Sequence, residues 1–169
     1  YTNEIFDISL TIPEGYTITK NPYIEDGAAY PFIAVDDATG SNFQIVLFDL
    51  EQMGDPEELA DYDAHTMLKD FNSGIEETSG YPMSEAEFGS AIFGDLSYDM
   101  SFLTVDDEDI AEITTYGCIV DHYAMVMMRV DAADGSEGND AILDSYVPAE
   151  GGCFGESTYI NMPLQLQIG

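Results

Sequence analysis

The stretch YAMVMMRV, residues 123–130, decides the expected architecture because it is apolar on both faces of a β-strand. Successive side chains of a strand point to opposite faces of the sheet. One face of this run carries Tyr123, Met125 and Met127, and the other carries Ala124, Val126, Met128 and Val130. A strand that is apolar on both sides lies inside a sheet and is covered by a further layer on each face.

Other β-segments flank this run, and turn residues separate them. Residues 32–35 and 43–50 are β-rich and enclose DDATGSN, whose Asp, Gly, Ser and Asn residues favour a hairpin turn. Strict alternation of apolar and polar residues predicts another strand at 6–12. The remaining predicted strands are 85–93, 96–105 and 110–120.

Two helices are predicted. Asp55, followed by Pro56 and two glutamates, is typical of a helix start, and an imperfect apolar stripe carries this helix to an expected end at 72–74. Residues 141–147 space their apolar side chains for a second, short helix. The economical packing for this order of elements is an α+β fold: an antiparallel sheet with helices on both faces, an α/β/α sandwich.

The length of 169 residues predicts a single domain. We expect residues 1–147 to form its globular part, and 148–169 to add a linker and a C-terminal β-strand to the same domain. Apolar and polar residues alternate from 160 to 168 in this tail, and Pro163 favours an edge position because proline has no N–H for the ladder. Such a strand can add to a sheet edge or be exchanged between protomers in a homo-oligomer.

The charge balance excludes one class of partner and favours another. Against 34 Asp and Glu residues stand only Lys20, Lys69 and Arg129, which gives a formal net charge of -31. Nucleic-acid binders need clusters of Lys and Arg to displace phosphate counter-ions, so that class is excluded. No apolar run reaches the length of a transmembrane helix, so direct membrane insertion is not expected. Cationic proteins or peptides and divalent cations are the partners that the charge favours.

The densest acidic run is the candidate metal site, with calcium as the ion. It consists of Asp106, Asp107, Glu108 and Asp109. Calcium accepts flexible carboxylate geometry, but charge runs between strands are more often solvated connectors, and we favour that interpretation here. The same interpretation applies to the pairs Asp36 with Asp37 and Asp131 with Asp134.

Two other patterns that can hold a metal are weaker. The run DAADGSEGND does not fit an EF-hand, because placing Gly135 at loop position 6 puts Val130 at position 1, where an acid is required. Asp61 and His65 have the i,i+4 spacing of a helical ligand pair, but Lys69 one turn further opposes a metal and fits an exposed ladder of charges. We expect His122, in the Asp121-His122 turn, to be a turn residue.

The cysteines leave two alternatives open. Cys118 and Cys153 are 35 residues apart and form no C-x-x-C pair, which disfavours zinc and redox motifs. They either form a disulfide, which requires an oxidising compartment, or remain two thiols. Neither cysteine has an identifiable histidine partner in the sequence, and there is no G-x-S-x-G motif. No catalytic residue and no cofactor is therefore predicted.

The opening YTNEIFDISLTIPEGY, residues 1–16, resembles the start of PsbP-like domains. These domains have the fold of the photosystem II extrinsic protein and occur also in small exported lipoproteins of Gram-positive gut bacteria. The matching positions are Tyr1, Asn3, Phe6, Pro13, Glu14 and Gly15. Asp7 and Tyr16 stand where Gly and Trp are usual, and the order of elements is similar through residue 147.

The resemblance implies an α/β/α sandwich, export, and a secreted or lipid-anchored life at the cell surface. It implies no catalytic residue, since the photosynthetic members act as binding and assembly proteins. A chain that begins at Tyr1 without Met is expected of a mature protein from which a leader or anchor has been removed.

We therefore expect a non-enzymatic, exported or lipid-anchored binding domain whose partner is an unknown protein or peptide. Two alternatives stay open. One is a structural or assembly module that uses the C-terminal strand, and the other is an extracellular protein that binds calcium with low affinity.

Overall fold

The computed structural model describes residues 2–3, 8–19, 24–25, 28–148 and 153. Four short strands open the chain, and six longer ones follow. The strands are β1 (Thr2–Asn3), β2 (Ile8–Ser9), β3 (Tyr16–Thr19), β4 (Ile24–Glu25), β5 (Ala28–Asp36), β6 (Asn42–Asp49), β7 (Glu87–Phe93), β8 (Leu96–Thr104), β9 (Ile110–Val120) and β10 (Tyr123–Ala132). The helices are α1 (Leu50–Met53), α2 (Pro56–Leu59), α3 (Ala64–Ser79) and α4 (Glu137–Asp144).

The main sheet is antiparallel and has the strand order β3-β5-β6-β10-β9-β8-β7, with β4 paired to β5. Strand β10 lies at its centre, between β6 and β9, and all ten of its residues are buried. This confirms the central strand that residues 123–130 predict. The predicted strands of the 85–120 region are also present, within one or two residues of the expected ends.

The two faces of β10 enter separate cores. Met125 and Met127 pack with Ile142 of α4, whereas Ala124 and Val126 pack with Leu68 of α3. Helices therefore cover both faces of the sheet, and the predicted α/β/α arrangement is confirmed. Within the described residues, no helix is both long and apolar enough to cross a membrane.

The first predicted helix is divided in the structure, and its predicted end is wrong. Asp55 caps α2 as expected, but that helix is only one turn long. A separate helix, α3, follows and is capped by Asp63, whose side chain accepts a hydrogen bond from the Thr66 N–H. The helix α3 continues through Gly74 to Ser79 because Ile75 still packs against the sheet. It ends where Gly80 takes a left-handed conformation with φ +70°.

Sequence patterns miss other boundaries as well. Helix α4 begins at Glu137, four residues earlier than predicted, inside a stretch rich in Gly and Asp. Strand β3 was not anticipated, and the strand predicted at 6–12 is present only as Ile8–Ser9, with residues 4–7 outside the described part. The predicted C-terminal strand also lies outside the described residues.

Cys118 of β9 and Cys153 form a disulfide. Of the two alternatives that the sequence left open, the structure contains this one. Cys153 is fully buried in the core on the α4 face, together with Tyr98 and Tyr146. The bond ties the chain that follows α4 to the middle of the sheet, two strands away from the edge strand β7.

Candidate functional site

The acidic run 106–109 connects β8 to β9, as the sequence predicts. Asp107 shapes this turn: its Oδ1 accepts hydrogen bonds from the N–H groups of Asp109 and Ile110, at 2.8 and 3.3 Å. The side chains of Asp106, Glu108 and Asp109 are exposed. Calcium binding at this turn stays a prediction, and the visible role of Asp107 is to hold the connector.

Asp131 is not a solvated acid, and that part of the sequence interpretation is wrong. It is buried and forms a two-pronged pair with Arg129, at 2.9 and 3.1 Å. Asp140 of α4 binds the same guanidinium at 2.7 Å, and Asn139 donates to Asp131 at 2.8 Å. Burial lowers the pKa of Arg129, but the hydrogen bonds and charges of the two aspartates outweigh it and raise that pKa above its ordinary value. This network fastens α4 to the sheet.

Asp61 and His65 do not form a helical pair. Helix α2 ends at Leu59 and α3 begins at Ala64, so the i,i+4 spacing spans a break between helices. The His65 ring instead lies on the Phe88 ring of β7, with the ring centroids 4.4 Å apart. His65 thus marks the place where the start of α3 meets the edge of the sheet.

Strand β7 is the last strand on one side of the sheet among the described residues. It pairs with β8 from Glu87↔Phe102 to Phe93↔Leu96, through a two-residue turn at Gly94 and Asp95. The residues that flank such a turn share their backbone hydrogen bonds, and bonded pairs then alternate along an antiparallel ladder. The N–H and C=O groups of Phe88, Ser90 and Ile92 therefore point away from β8, toward the open edge.

Two apolar side chains accompany these open backbone groups. Ile92 is 74% exposed and Phe88 is 39% exposed. None of the described residues pairs with this side of β7. A long edge strand that also exposes apolar side chains is a template for another strand. The opposite edge, β3, is only four residues long and exposes Ile18. We call the outer side of β7, with Phe88, Ser90 and Ile92, the β7 edge.

A cavity of about 230 Å³ opens beside the β7 edge, between this strand and α3. Phe88, Met83 and Leu103 form its apolar wall, and Glu76 and Glu85 stand at its rim together with Lys69. Another groove, of about 420 Å³, lies across α3 between Phe71 and Met128, and no charged side chain lines it among the described residues. Ligand sites combine apolar walls with a few polar groups that fix orientation, and of these two only the cavity at β7 has charged ones.

The sequence did not predict a third group of side chains, which the structure brings together. Asp49, Glu51 and His122 place one ligand atom each within 4.8 Å of one another. Asp49 ends β6 and His122 lies in the turn before β10, and these strands pair with Asp49 opposite Tyr123. The signal available in the sequence was weak: it required knowing that the end of the 43–50 strand meets the start of the 123–130 strand.

Comparison with known proteins supports the fold assignment alone. No protein-family model and no curated protein sequence matches the chain. A search of solved structures finds the solution structure of cyanobacterial PsbP (CyanoP) from Synechocystis sp. PCC 6803, with a TM-score of 0.59 and 12% identity. The match covers 87% of this chain and 89% of that one. The chain therefore has a PsbP-like fold, as the resemblance of its opening residues implied.

Proposed function

We propose that the chain is a non-enzymatic binding domain that holds an extended, cationic segment of another protein along the β7 edge. The observation that carries this proposal is the seven-residue edge strand itself, which offers open backbone groups and the exposed side chains of Phe88 and Ile92. An added strand gains affinity from main-chain hydrogen bonds and specificity from pockets for alternate side chains. In this proposal, the cavity that Phe88 lines together with Met83 and Leu103 receives one of these side chains.

Charge selects the kind of segment that fits. Glu85, Glu87 and Asp95 flank or belong to the β7 hairpin and are exposed. The chain as a whole carries a net charge of -31, which attracts cationic segments and repels acidic ones over several ångströms of solvent. A segment with apolar residues at every second position and Lys or Arg between them matches both the apolar side chains and the acidic surroundings.

The disulfide supports the proposal that the protein is exported, as a secreted or lipid-anchored domain. Such bonds persist in oxidising compartments, and Cys118 and Cys153 are joined within a buried core. Fractionating cells that express the full-length gene product tests this point. We expect the protein outside the cytoplasm, and recovery in the cytoplasm with reduced cysteines contradicts export.

Neither cysteine is a free thiol, and each histidine has a partner in the structure. The His65 ring lies on Phe88, and His122 is hydrogen bonded to the carboxylate of Asp49. Both cysteines are in the disulfide, so neither is a nucleophile in this state.

Matched lysine substitutions at the two edges test the docking proposal. The probe is an acetylated eight-residue peptide of alternating Lys and Val, titrated into the full chain by calorimetry, with a Glu-Val peptide as the charge control. Ile92→Lys places a charge on the β7 edge, and Ile18→Lys makes the same change of charge on β3. We expect Ile92→Lys to weaken binding about 10-fold or more, as a loss of 1.4 kcal/mol does, and Ile18→Lys to weaken it less.

Three results contradict the docking proposal. The first is an equal loss of peptide affinity in Ile92→Lys and Ile18→Lys, which would show that net charge causes the loss. The second is binding of the Glu-Val peptide as tightly as the Lys-Val peptide. The third is the absence of saturable binding by either peptide.

A second candidate function places the C-terminal strand that the sequence predicts on the same edge, in cis or from another copy. After α4 the chain passes the β7–β8 turn, where Pro148 lies 3.5 Å from the position that a Cβ of Gly94 would take. Cys153 then anchors it over β9, two strands from β7, or about 10 Å. Deleting residues 158–169 tests this function. We expect the deletion to change the oligomeric state or to tighten binding of the Lys-Val peptide. If neither change is observed, this function is ruled out.

A further inference from the structure

The group formed by Asp49, Glu51 and His122 lies at the end of the sheet where β6 passes into α1. Asp49 is buried, and its Oδ1 is 3.0 Å from Nδ1 of His122. The same Nδ1 is 3.9 Å from Oε2 of Glu51, whose side chain is 67% exposed. Elements far apart in the chain thus bring one imidazole nitrogen and two carboxylates together.

These distances fit one shared cation. Zinc takes imidazole nitrogen and carboxylate oxygen ligands at about 2.0–2.2 Å. Two atoms that are each about 2.1 Å from a tetrahedral ion lie about 3.4 Å apart, and the distances of 3.0 Å and 3.9 Å from Nδ1 of His122 to the two carboxylates lie on either side of this value. The exposed side chain of Glu51 is free to move toward the ion, whereas Asp49 pairs with Tyr123 of β10 and the carbonyl of His122 accepts a hydrogen bond from the Leu50 N–H at 2.8 Å.

The negative charge around His122 favours binding of a cation. The ion pairs that Asp49 and Glu51 form among the described residues are both with His122, which is charged only when it is protonated. Asp121 lines the same cavity of about 190 Å³ as Glu51 and His122. A divalent ion there offsets two or three carboxylates at once, which a single imidazolium does not.

Asp49 also accepts hydrogen bonds from α1, and these bonds do not prevent its carboxylate from binding a metal. Its Oδ1 accepts from the Glu51 N–H at 3.2 Å, and its Oδ2 accepts from Nε2 of Gln52 at 2.6 Å. Each carboxylate oxygen has two lone pairs, so an oxygen that accepts one hydrogen bond can still bind an ion. These bonds orient the carboxylate, as hydrogen bonds to ligands do in known metal sites.

We propose that Asp49, Glu51 and His122 form a zinc-binding site, independent of the docking function at β7. A set of one imidazole and two carboxylates suits Zn²⁺ better than Ca²⁺, which prefers oxygen ligands alone. His122 binds through Nδ1, and its N–H proton then resides on Nε2. Three protein ligands leave one position of tetrahedral zinc for water at this partly exposed surface.

The test is calorimetric titration of ZnCl₂ into the full, disulfide-bonded chain at about 0.15 M NaCl, where the loose attraction of a highly acidic surface is screened. We expect one saturable site per chain. His122→Ala is expected to weaken it by at least the roughly 10-fold that loss of a ligand's hydrogen-bond partner costs. Glu51→Ala is expected to weaken zinc binding as well. Because the Glu51 side chain is exposed, this change is not expected to unfold the protein.

The matched control is His65→Ala, because His65 lies outside the site, on Phe88. It is expected to bind Zn²⁺ as the unchanged chain does. Co²⁺ supplies a second readout, since its visible absorption reports nitrogen and oxygen ligands and is expected to disappear in His122→Ala. Zinc affinity equal to that of the unchanged chain in both His122→Ala and Glu51→Ala, or no saturation by about 1 mM Zn²⁺, overturns the proposal.

Discussion

At the scale of single residues, Arg129 is the basic side chain of the described residues that forms ion pairs with two aspartates, Asp131 and Asp140. Its guanidinium offsets Asp131 and Asp140 and is itself nearly buried. Removing one partner of a buried ion pair leaves the other charge without compensation, and this costs about 3–5 kcal/mol. We therefore expect Arg129→Met to lower the free energy of unfolding by that amount in urea titrations.

Lys69→Met is the matched control, because it removes a cation from an exposed residue of α3. Surface substitutions of this kind change stability by about 0.5 kcal/mol or less. Equal destabilisation by the two variants would show that the loss of positive charge matters and that the buried pair does not.

Tyr16 makes stability depend on alkaline pH. Its hydroxyl donates to Asn139 at 3.0 Å, and burial, followed by the nearby charges of Asp36 and Asp131, raises the pKa of Tyr16 to about 12. A tyrosine whose pKa is higher in the folded state contributes stability that is complete below about pH 10 and is lost as the pH rises toward 12. Tyr16→Phe is expected to lose less stability than the unchanged chain between pH 10 and pH 12, measured by urea unfolding. An unchanged alkaline loss in Tyr16→Phe, equal to that in the exposed variant Tyr81→Phe, contradicts this assignment.

At the scale of elements, the contact between α3 and β9 depends on a residue without a side chain. A Cβ at Gly117 would lie 2.9 Å from Cε of Met67 and 3.0 Å from Cδ2 of Leu68, so the terminal methyl of Met67 must move and Leu68 must shift slightly. Overpacking of this kind typically costs about 1–3 kcal/mol. Because the closest atom is the flexible end of Met67, we expect Gly117→Ala to destabilise the fold by about 1 kcal/mol, the lower end of that range.

Gly74 provides the opposite case within α3. A Cβ there meets nothing within 4 Å, and alanine is favoured over glycine inside a helix by about 0.5–1 kcal/mol. Gly74→Ala is therefore expected to stabilise the protein. Urea midpoints that move in the same direction for both variants would contradict the packing described for α3.

The same elements show how far the sequence predicts this fold. The strands β6, β8, β9 and β10 could be predicted because each buries apolar side chains in the sheet. Strand β7 was predicted as well, although none of its residues is buried. The end of α3 was missed because Gly74 looks like a stop signal, whereas contacts of Ile75 with the sheet keep the helix going. The burial of Asp131 and the meeting of Asp49 with His122 depend on strand pairing, which local patterns do not contain.

At the scale of the whole molecule, the disulfide closes the segment from β9 to Cys153, a separation of 35 residues. The chain-entropy model gives about 3–4 kcal/mol for a loop of this length. A double variant, Cys118→Ser with Cys153→Ser, is expected to lose that much unfolding free energy. The unchanged chain under reducing conditions is expected to match it, and a reduced chain as stable as the oxidised one contradicts the prediction.

If the β7 edge receives an added strand, the backbone amides on its outer side become hydrogen bonded, and amide hydrogen exchange detects this change at each residue. In the free chain, the amides of Phe88, Ser90 and Ile92 are expected to exchange fast, while those of Gly89 and Ala91, which bond to β8, exchange slowly. Adding the Lys-Val peptide is predicted to slow the exchange of the first three. Binding of the peptide with no change at these three amides would contradict the account.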